Sequence, residues 1–495
     1  MTQSWTRRMR DLRVILAFAA LTLTACSVNP ATGERNFTAF MSPEDELRVG
    51  QKEHPKIIQQ FGGIYSDPRV TAYVDRIGQG LAQVSELPDL KFTFTVLDDD
   101  IVNAFALPGG FVYISRGLLA LANNEAELAG VLGHEIGHIT GRHSAQRYSQ
   151  SVLAGIGTVG VSILSSVLLG TPAVGDAIGQ GASIYLQGFS REHEFEADTL
   201  GVRYLARTGY DTEAMASFLS SLEAFSALEA RVSGLPDPAS RFNIMSTHPR
   251  TGDRVVAATR AANVKAAART KDERHTYLET INGITFGDSE HEGFVRGHIF
   301  VHEPANFLFE VPEGFTLFNS ARQVTARGAN GAAILFSGGQ IPHRGSMASY
   351  LTRVWAKGAS LANVETIDIN GMEAATGRAR LRNASGGFDA RFVVIRHDQD
   401  NIYRFLFLTP PSRTRKLDSD LDATTQSFRK LTAEDRARYG EWKIEMRVVR
   451  PNDSVASLSR NMPMPGPKEE WFRVLNGMAP GAQPTPGQVV KLVVE

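Results

Sequence analysis

The chain has 495 residues, more than a single hydrophobic core usually organises, so its length predicts about two to four domains. Its 52 Lys and Arg residues nearly balance its 53 Asp and Glu residues, and the formal net charge is −1 at pH 7. Because no long basic or acidic run accompanies this balance, the composition argues against a nucleic-acid-binding protein and against a charged disordered tail.

The start of the chain has the layout of a secretory signal. Several arginines precede an uncharged run over residues 14–25, which is too short to span a bilayer. This run ends in Leu-Thr-Ala-Cys, which resembles the bacterial lipoprotein box, and Cys26 is the only cysteine in the sequence. We therefore expect residues 1–25 to be a signal peptide and Cys26 to be lipidated, which would tether a periplasmic protein to a membrane. Ser27 rather than Asp follows the cysteine, and the same resemblance then implies the outer membrane.

The next segments predict helices around a small sheet. Residues 91–97 alternate apolar and polar side chains as a half-buried strand does, and residues 110–115 follow a Pro-Gly-Gly turn as a second strand. Asn124 precedes a long apolar segment, and Glu127 stands three residues further on. We therefore predict a helix that begins with a capping box and continues to about Arg147.

Residues 151–170 carry no charge, and their length alone admits a transmembrane helix. Small residues dilute the hydrophobicity of this run, and a lipoprotein already has an anchor. We therefore favour a buried or membrane-surface helical hairpin. Residues 188–198 then open another helix, which the pair Thr208-Gly209 is predicted to end.

Beyond about residue 283 the pattern changes to β-rich segments separated by turn residues, with one helical segment at residues 346–357. This predicts an α+β domain over residues 283–435. The predicted strands are residues 298–301, 307–311, 332–336, 392–395 and 403–407. The histidines of this region lack convincing ligand geometry, so we expect them to be structural or exposed.

His134, Glu135 and His138 form the pattern His-Glu-x-x-His within the predicted helix. Residues four apart on a helix lie on one face, so the two histidines can present their imidazoles to a single zinc ion. Zinc lowers the pKa of a bound water to about 7, and a neighbouring carboxylate can take its proton, so we expect Glu135 to be the general base. The pattern is short, and a helix that carries two unrelated histidines is the alternative.

The third ligand decides the class of zinc site. A metzincin requires histidine where this sequence has Ser144, and His143 lies nine residues, or about 180°, from the first zinc histidine on a continuing helix. We expect His143 to face solvent or to stand behind the ligands. Glu194 on the later helix is the better candidate, with Asp198 one turn further on the same face to hydrogen-bond a zinc histidine. Glu196 points about 200° away from Glu194.

Three separated motifs, at residues 103–110, 134–138 and 190–198, resemble the signatures of HtpX-related gluzincin zinc metallopeptidases of the periplasmic BepA/LoiP type. The resemblance covers roughly residues 29–260. It implies that Glu194 is the third ligand of one zinc ion per chain and that Asp198 supports a zinc histidine.

The same resemblance implies further site residues. His248 in a His-Pro segment would stabilise an oxyanion or cap the zinc in a resting state, and Arg254 would bind the substrate carbonyl. Residues 103–107 would form an edge strand to which an extended polypeptide adds, with contacts at Asn103, Ala104 and Phe105. The alternatives are that His248 lies in an ordinary loop and that residues 103–107 form a strand that only packs in the core.

Residues 442–495 look similar to a lysin-motif module, a family that binds peptidoglycan glycans, although residues 462–468 depart from its compact pattern. The sequence therefore predicts a multidomain chain. A mainly α-helical zincin-like peptidase domain with a small β-sheet spans residues 26–275, and the α+β domain and a small lysin-motif-like α/β module follow it.

The expected function is that of a zinc-dependent endopeptidase acting on misfolded or stalled envelope proteins, in quality control at the outer membrane. One alternative is a chaperone-like assembly factor with a little-used metal site, docking to assembly machinery or the cell wall. Another is a peptidoglycan-cleaving peptidase, suggested by the last module alone.

Overall fold

A computed structural model of the protein describes residues 26–153, 188–233, 248, 254, 257, 260, 273–320, 323–328, 331–383 and 386–495. The predicted signal peptide and most of the uncharged run over residues 151–170 lie outside these ranges. The chain divides into two compact units: unit 1 comprises residues 1–284 and 444–494, and unit 2 comprises residues 285–443 and 495. The predicted domain boundaries stay predictions.

The first part of unit 1 combines helices with short strands. Its described strands are β1 (Cys26–Val28), β2 (Arg35–Phe37), β3 (Thr93–Leu97), β4 (Ala104–Leu107) and β5 (Phe111–Ser115). Its described helices are α1 (Pro43–Gln60), α2 (Pro68–Gln83), α3 (Arg116–Leu121), α4 (Glu125–Thr140), α5 (His143–Leu153), α6 (Arg191–Thr208), α7 (Ala214–Ser233) and α8 (Arg274–Ile281).

The small sheet predicted in this region is confirmed. Its strand order is β3-β5-β4, with β3 parallel and β4 antiparallel to β5. Within the described residues β4 lies at an edge of this sheet, yet all four of its residues are buried.

Helix α4 carries the His-Glu-x-x-His pattern and is buried along its whole length. Its N-cap Asn124 accepts from the backbone N–H of Glu127 at 2.8 Å, as predicted, but the Glu127 carboxylate accepts from the N–H of Asn123, so the capping box is not reciprocal. The predicted continuation of this helix to Arg147 is wrong. The helix ends at Thr140, because Arg142 adopts a left-handed conformation with φ of 54°, and α5 begins at the next residue.

Glycine lets α4 and α6 approach closely. A Cβ atom at Gly137 would lie 3.1 Å from the Cα of Ala197, and a Cβ atom at Gly133 would lie 3.2 Å from the Cα of Gly201. Because Gly133 and Gly137 are four residues apart, they share one face of α4 and allow this close packing over a full turn. Helix α6 begins at the N-cap Ser190 and ends where predicted, with Gly209 in the left-handed region.

Unit 2 combines helices with sheets. The strands described are β6 (Thr285–Phe286), β7 (Phe294–Arg296), β8 (Ile299–His302), β9 (Phe307–Glu310), β10 (Phe315–Phe318), β11 (Val324–Gly328), β12 (Ala333–Gln340), β13 (Ala362–Ile369), β14 (Met372–Asn383), β15 (Gly386–Arg396) and β16 (Asn401–Thr409). A seven-stranded antiparallel sheet has the order β10-β11-β12-β16-β15-β14-β13, and a three-stranded sheet has the order β7-β8-β9. The helices are α9 (Met347–Tyr350), which continues as a π-helical turn at Leu351–Trp355, α10 (Thr414–Ser427) and α11 (Ala433–Arg438).

The C-terminal segment contains β17 (Trp442–Val448), α12 (Val455–Ser459), α13 (Lys468–Leu475) and β18 (Val489–Val494). From residue 444 to residue 494 it belongs to unit 1. The ammonium of the fully buried Lys491 donates to the backbone carbonyls at the end of α3, those of Ala120, Leu121 and Ala122, at 2.8, 2.9 and 2.8 Å. These three carbonyls match the three N–H donors of an ammonium group. The likeness of this segment to a lysin-motif module stays a prediction.

Candidate metal centre

The two histidines of α4 lie on one face of the helix, as their spacing predicts. Their Nε2 atoms are 3.0 Å apart, and both side chains are buried. Each ring therefore directs the same nitrogen to a common point and its Nδ1 atom away from that point.

Glu194 reaches this point from the first turn of α6. Its carboxylate oxygens lie 3.5 Å from His138 Nε2 and 3.6 Å from His134 Nε2. The glycine face of α4 brings α6 near enough for a side chain as short as glutamate to make these contacts.

His248 completes the group. Its Nδ1 atom lies 2.9 Å from Glu194 Oε1 and 3.3 Å from His134 Nε2. His134, His138, Glu194 and His248 each offer one ligand atom, and these atoms lie within 4.8 Å of one another. Imidazole nitrogens with a carboxylate oxygen are donors that suit zinc and related transition metals, so the residues fit a metal ion.

Glu135 stands beside this group and is fully buried. Neither of its carboxylate oxygens has a hydrogen-bond partner within the described part of the chain, and the nearest imidazole nitrogen, His248 Nε2, is 3.5 Å away. Burial raises the pKa of Glu135 above its ordinary value, against the opposing effect of His248 and His134. A buried carboxylate without a hydrogen bond among the described residues is typical of a functional group.

Asp198 and Arg254 contact the side chains of the metal group on the side away from the common point. His134 Nδ1 lies 2.9 Å from Asp198 Oδ1, as the resemblance implied, and Arg254 donates two hydrogen bonds of 2.7 Å to the Asp198 carboxylate. Burial alone would raise the pKa of Asp198, but the bonds from Arg254 and His134 lower it to about 2. Arg254 also lies 2.7 Å from Glu194 Oε2, so here its guanidinium holds carboxylates, and its role toward substrate stays a prediction.

His143 does not face solvent, and that half of the expectation is wrong. Its side chain is fully buried, and its Nδ1 atom lies 2.8 Å from Nδ1 of His138. The new helix that begins after Arg142 turns His143 back toward the metal group. Sequence reasoning also missed Phe189, whose ring stacks on His138 with centroids 4.0 Å apart.

The predicted substrate contacts Asn103, Ala104 and Phe105 lie on or next to the edge strand β4, but each is at most 4% exposed. A cavity of about 20 Å³ adjoins the metal group and is lined largely by apolar side chains of α4 and α7. A volume of that size holds about one water molecule, so this cavity beside the metal group is closed to a polypeptide. Among the described residues, no helix is both long and apolar enough to cross a membrane.

A buried group of three histidines and one glutamate, beside Glu135 on a His-Glu-x-x-His helix, has the composition expected of a metallopeptidase site. Residues 68–262 match the model of Peptidase family M48.

Curated relatives agree with this assignment. The chain is 35% identical over 229 residues to the beta-barrel assembly-enhancing protease of Yersinia pestis, covering 43% of this chain and 46% of that protein. It is 31% identical over 273 residues to the protein of the same name from Escherichia coli, covering 52% and 53%. It is 29% identical over 233 residues to the mitochondrial metalloendopeptidase OMA1 of Schizosaccharomyces pombe, covering 46% and 63%. The chain thus spans about half the length of the bacterial relatives it matches.

Among solved structures, cyanobacterial PsbP from Synechocystis is 16% identical, covers 29% of this chain and 98% of its own, and matches with a TM-score of 0.24. A score that low carries no argument about this chain.

Proposed function

We propose that the protein is a zinc endopeptidase that cleaves misfolded or stalled proteins in the bacterial envelope. The observation that carries the proposal is the buried group of His134, His138 and Glu194 beside the Glu135 carboxylate, which has no hydrogen bond within the described residues. The names of the bacterial relatives support polypeptide substrates and an envelope location. They also make the outer-membrane assembly machinery the partner we favour, and we keep the lipidated Cys26 as the proposed tether to the outer membrane.

The proposed chemistry assigns a separate role to each residue. His134, His138 and Glu194 would hold the zinc, which supplies Lewis-acid polarisation of a peptide carbonyl and of water. Glu135 would take a proton from water and return it to the leaving amine, and the raised pKa that burial gives it favours the first of these steps. Asp198 would keep His134 in the tautomer that leaves Nε2 free for the metal.

His248 has two proposed roles, and its position supports one of them for the closed centre. Its Nδ1 atom lies among the ligand atoms, 2.9 Å from Glu194, so we propose that it caps the zinc in the resting state. Opening the centre would then release His248 to stabilise an oxyanion. An extended substrate would add to β4 once that strand is uncovered, with main-chain hydrogen bonds giving affinity but little sequence selectivity.

The proposal is tested with the purified full chain, unfolded casein and muropeptides, with and without a chelator. We expect casein cleavage that the chelator abolishes, and a loss of about 10²–10⁴-fold in the Glu135→Gln variant, because general-base catalysis contributes about that much. Glu213→Gln, at an exposed carboxylate, is the matched control.

Two outcomes contradict the proposal. Full rescue of a deletion phenotype by Glu135→Gln would favour a chaperone-like factor, because that variant lacks the general base. Cleavage of muropeptides without cleavage of casein would favour a peptidoglycan peptidase.

A further inference from the structure

The two histidine ligands of α4 are supported in different ways. Nδ1 of His134 faces the Asp198 carboxylate at 2.9 Å, whereas Nδ1 of His138 faces a third imidazole, Nδ1 of His143, at 2.8 Å. A contact between two imidazole nitrogens needs an N–H on one of them and a lone pair on the other. The direction of this hydrogen bond therefore depends on which tautomer each ring adopts.

Metal binding sets that direction. His138 points Nε2 at the ligand group, and a nitrogen that binds a metal carries no proton, so neutral His138 must carry its proton on Nδ1. His138 then donates to His143, and neutral His143 carries its own proton on Nε2. That atom has no hydrogen bond within the described residues, and it lies 3.5 Å from Oε1 of Glu196, whose negative charge attracts the N–H. The chain of contacts from metal ligand to carboxylate has a single consistent direction.

Asn29 holds Glu196, the last residue in this series of contacts. Its amide nitrogen donates to Glu196 Oε1 at 2.7 Å, and its amide oxygen accepts from the backbone N–H groups of Ala31 at 2.8 Å and Thr32 at 3.3 Å. Asn29 is only 1% exposed, so the side chain is held in one orientation between the N-terminal segment and α6. Glu196, which helical geometry directs away from Glu194, thus has a defined place on the opposite side of His138.

The ring of His143 lies against Gly141, which has no side chain to displace it. A Cβ atom at Gly141 would lie 2.4 Å from His143 Nε2, so any side chain at position 141 would displace the ring. On its other side His143 stacks on His193, with ring centroids 4.3 Å apart and planes inclined by 13°. The imidazole is therefore positioned by packing as well as by hydrogen bonds.

A second contact joins the same N-terminal segment to the junction that follows α4. Arg142 donates to the hydroxyl of Ser27 at 2.8 Å, to the carbonyl of Met41 at 2.9 Å and to the carboxylate of Glu46 at 3.1 Å. Asn29 and Arg142 thus connect the residues directly after Cys26 to both sides of His143.

We infer that His143, Glu196 and Asn29 are positioning residues for the metal ligand His138, so that the segment following Cys26 is part of the metal centre. The inference rests on the proposed function, because it requires His138 to bind a metal. The role inferred for the three residues is to orient the His138 ring.

The test measures metal binding by the purified full chain with Zn²⁺ and with Co²⁺. Glu196→Ala is expected to change the Co²⁺ absorption spectrum and to weaken zinc affinity by less than the roughly 10–100-fold typical of losing a ligand's own hydrogen-bond partner, because Glu196 acts through His143. Glu196→Gln keeps an acceptor for His143 and should restore part of the affinity. Asn29→Ala should give a smaller loss in the same direction. The matched controls are Glu192→Ala, exposed on the same helix, and Glu34→Ala, exposed in the N-terminal segment.

A merely structural role gives a different result. It would lower the melting temperature of the metal-free chain and leave the Co²⁺ spectrum and zinc affinity of Glu196→Ala equal to those of Glu192→Ala, and that result would overturn the inference. Failure of the proposed function is seen separately, as normal metal binding by the unmutated chain without cleavage of casein.

Discussion

The metal centre of unit 1 and the sheet core of unit 2 are both buried, but different contacts hold them together. At the centre, Glu194 lies 2.9 Å from His248 and 2.7 Å from Arg254, and such polar contacts depend on the identity of each partner. In the sheet core, the ring of Phe336 packs on Phe309 and Phe405 with centroids 4.6 and 4.7 Å apart. Packing of this kind depends on volume. We therefore expect conservative changes to be tolerated in the sheet core and not at the centre.

The largest expected effect is at Glu194, a proposed metal ligand. Glu194→Ala removes a carboxylate from the metal group, so zinc should be lost and proteolysis should fall by more than about 100-fold, since residues that only support ligands already account for about 10–100-fold. Metal analysis of the purified chain measures the first effect and casein cleavage the second. Glu192→Ala, exposed in the same helical turn, is the control. Undiminished zinc in Glu194→Ala would remove Glu194 from the ligand set.

The next effect tests whether volume governs unit 2. Phe405 is fully buried, so Phe405→Ala should lower the free energy of unfolding by about 3–5 kcal/mol, and Phe405→Leu should cost much less because it keeps most of the volume. Chemical denaturation measures both, with Val354→Ala, about half exposed, as the control. Zinc content should not change, because none of the ligands lies in unit 2. Equal losses for Ala and Leu would contradict the role of volume.

The third prediction tests whether buried polar contacts also stabilise the C-terminal segment. Lys491→Met leaves three backbone carbonyls without their donor and should cost about 2–3 kcal/mol, with Lys443→Met at an exposed position as the control.

The same variant gives a prediction on pH. Burial lowers the pKa of Lys491 well below its ordinary value of 10.5, so the unfolded chain binds this proton more tightly than the folded chain. Stability should therefore rise with pH between the lowered pKa and 10.5, and Lys491→Met should flatten that rise. An unchanged slope in denaturation curves across this range would show that Lys491 does not contribute to it.

The smallest effect is expected at an exposed ion pair of unit 2. Arg378 lies 2.8 Å from Asp418, and both side chains are about two-fifths exposed, at 43% and 42%. Asp418→Asn should cost less than about 1 kcal/mol, because solvent and salt weaken such pairs. A double-mutant cycle with Arg378→Gln isolates the interaction. A coupling as large as the loss in Lys491→Met would show that polarity rather than burial sets the difference between the two units.

Much of the metal centre could be predicted because its pattern is local. The spacing of His134 and His138 on a helix places their rings on one face, and the structure groups them with Glu194 and His248. The five strands predicted beyond residue 283 also fall within β8, β9, β12, β15 and β16 apart from residues at their ends, since alternation and β-branched composition are local signals.

What could not be predicted depends on contacts between distant parts of the chain. The amide of Asn29 and the carboxylate of Glu196 are 167 positions apart, and Lys491 meets carbonyls about 370 positions away. The sequence does not predict the end of α4, because the helix stops where Arg142 adopts a left-handed conformation. Arginine rarely adopts this conformation, so its presence in a sequence does not indicate a helix end. The left-handed backbone at Arg142 also determines which residues surround His143.

The close contact of α4 with α6 has a consequence for ion selectivity. Gly133 and Gly137 place backbone against backbone, and backbone atoms cannot change rotamer to make room as side chains do. The backbones of the two helices therefore cannot move closer together. Zinc forms bonds of about 2.0–2.1 Å to histidine, whereas calcium takes more ligands at about 2.3–2.6 Å. A larger ion would move the helices apart and lose their close packing, so we expect the site to favour an ion of the size of zinc.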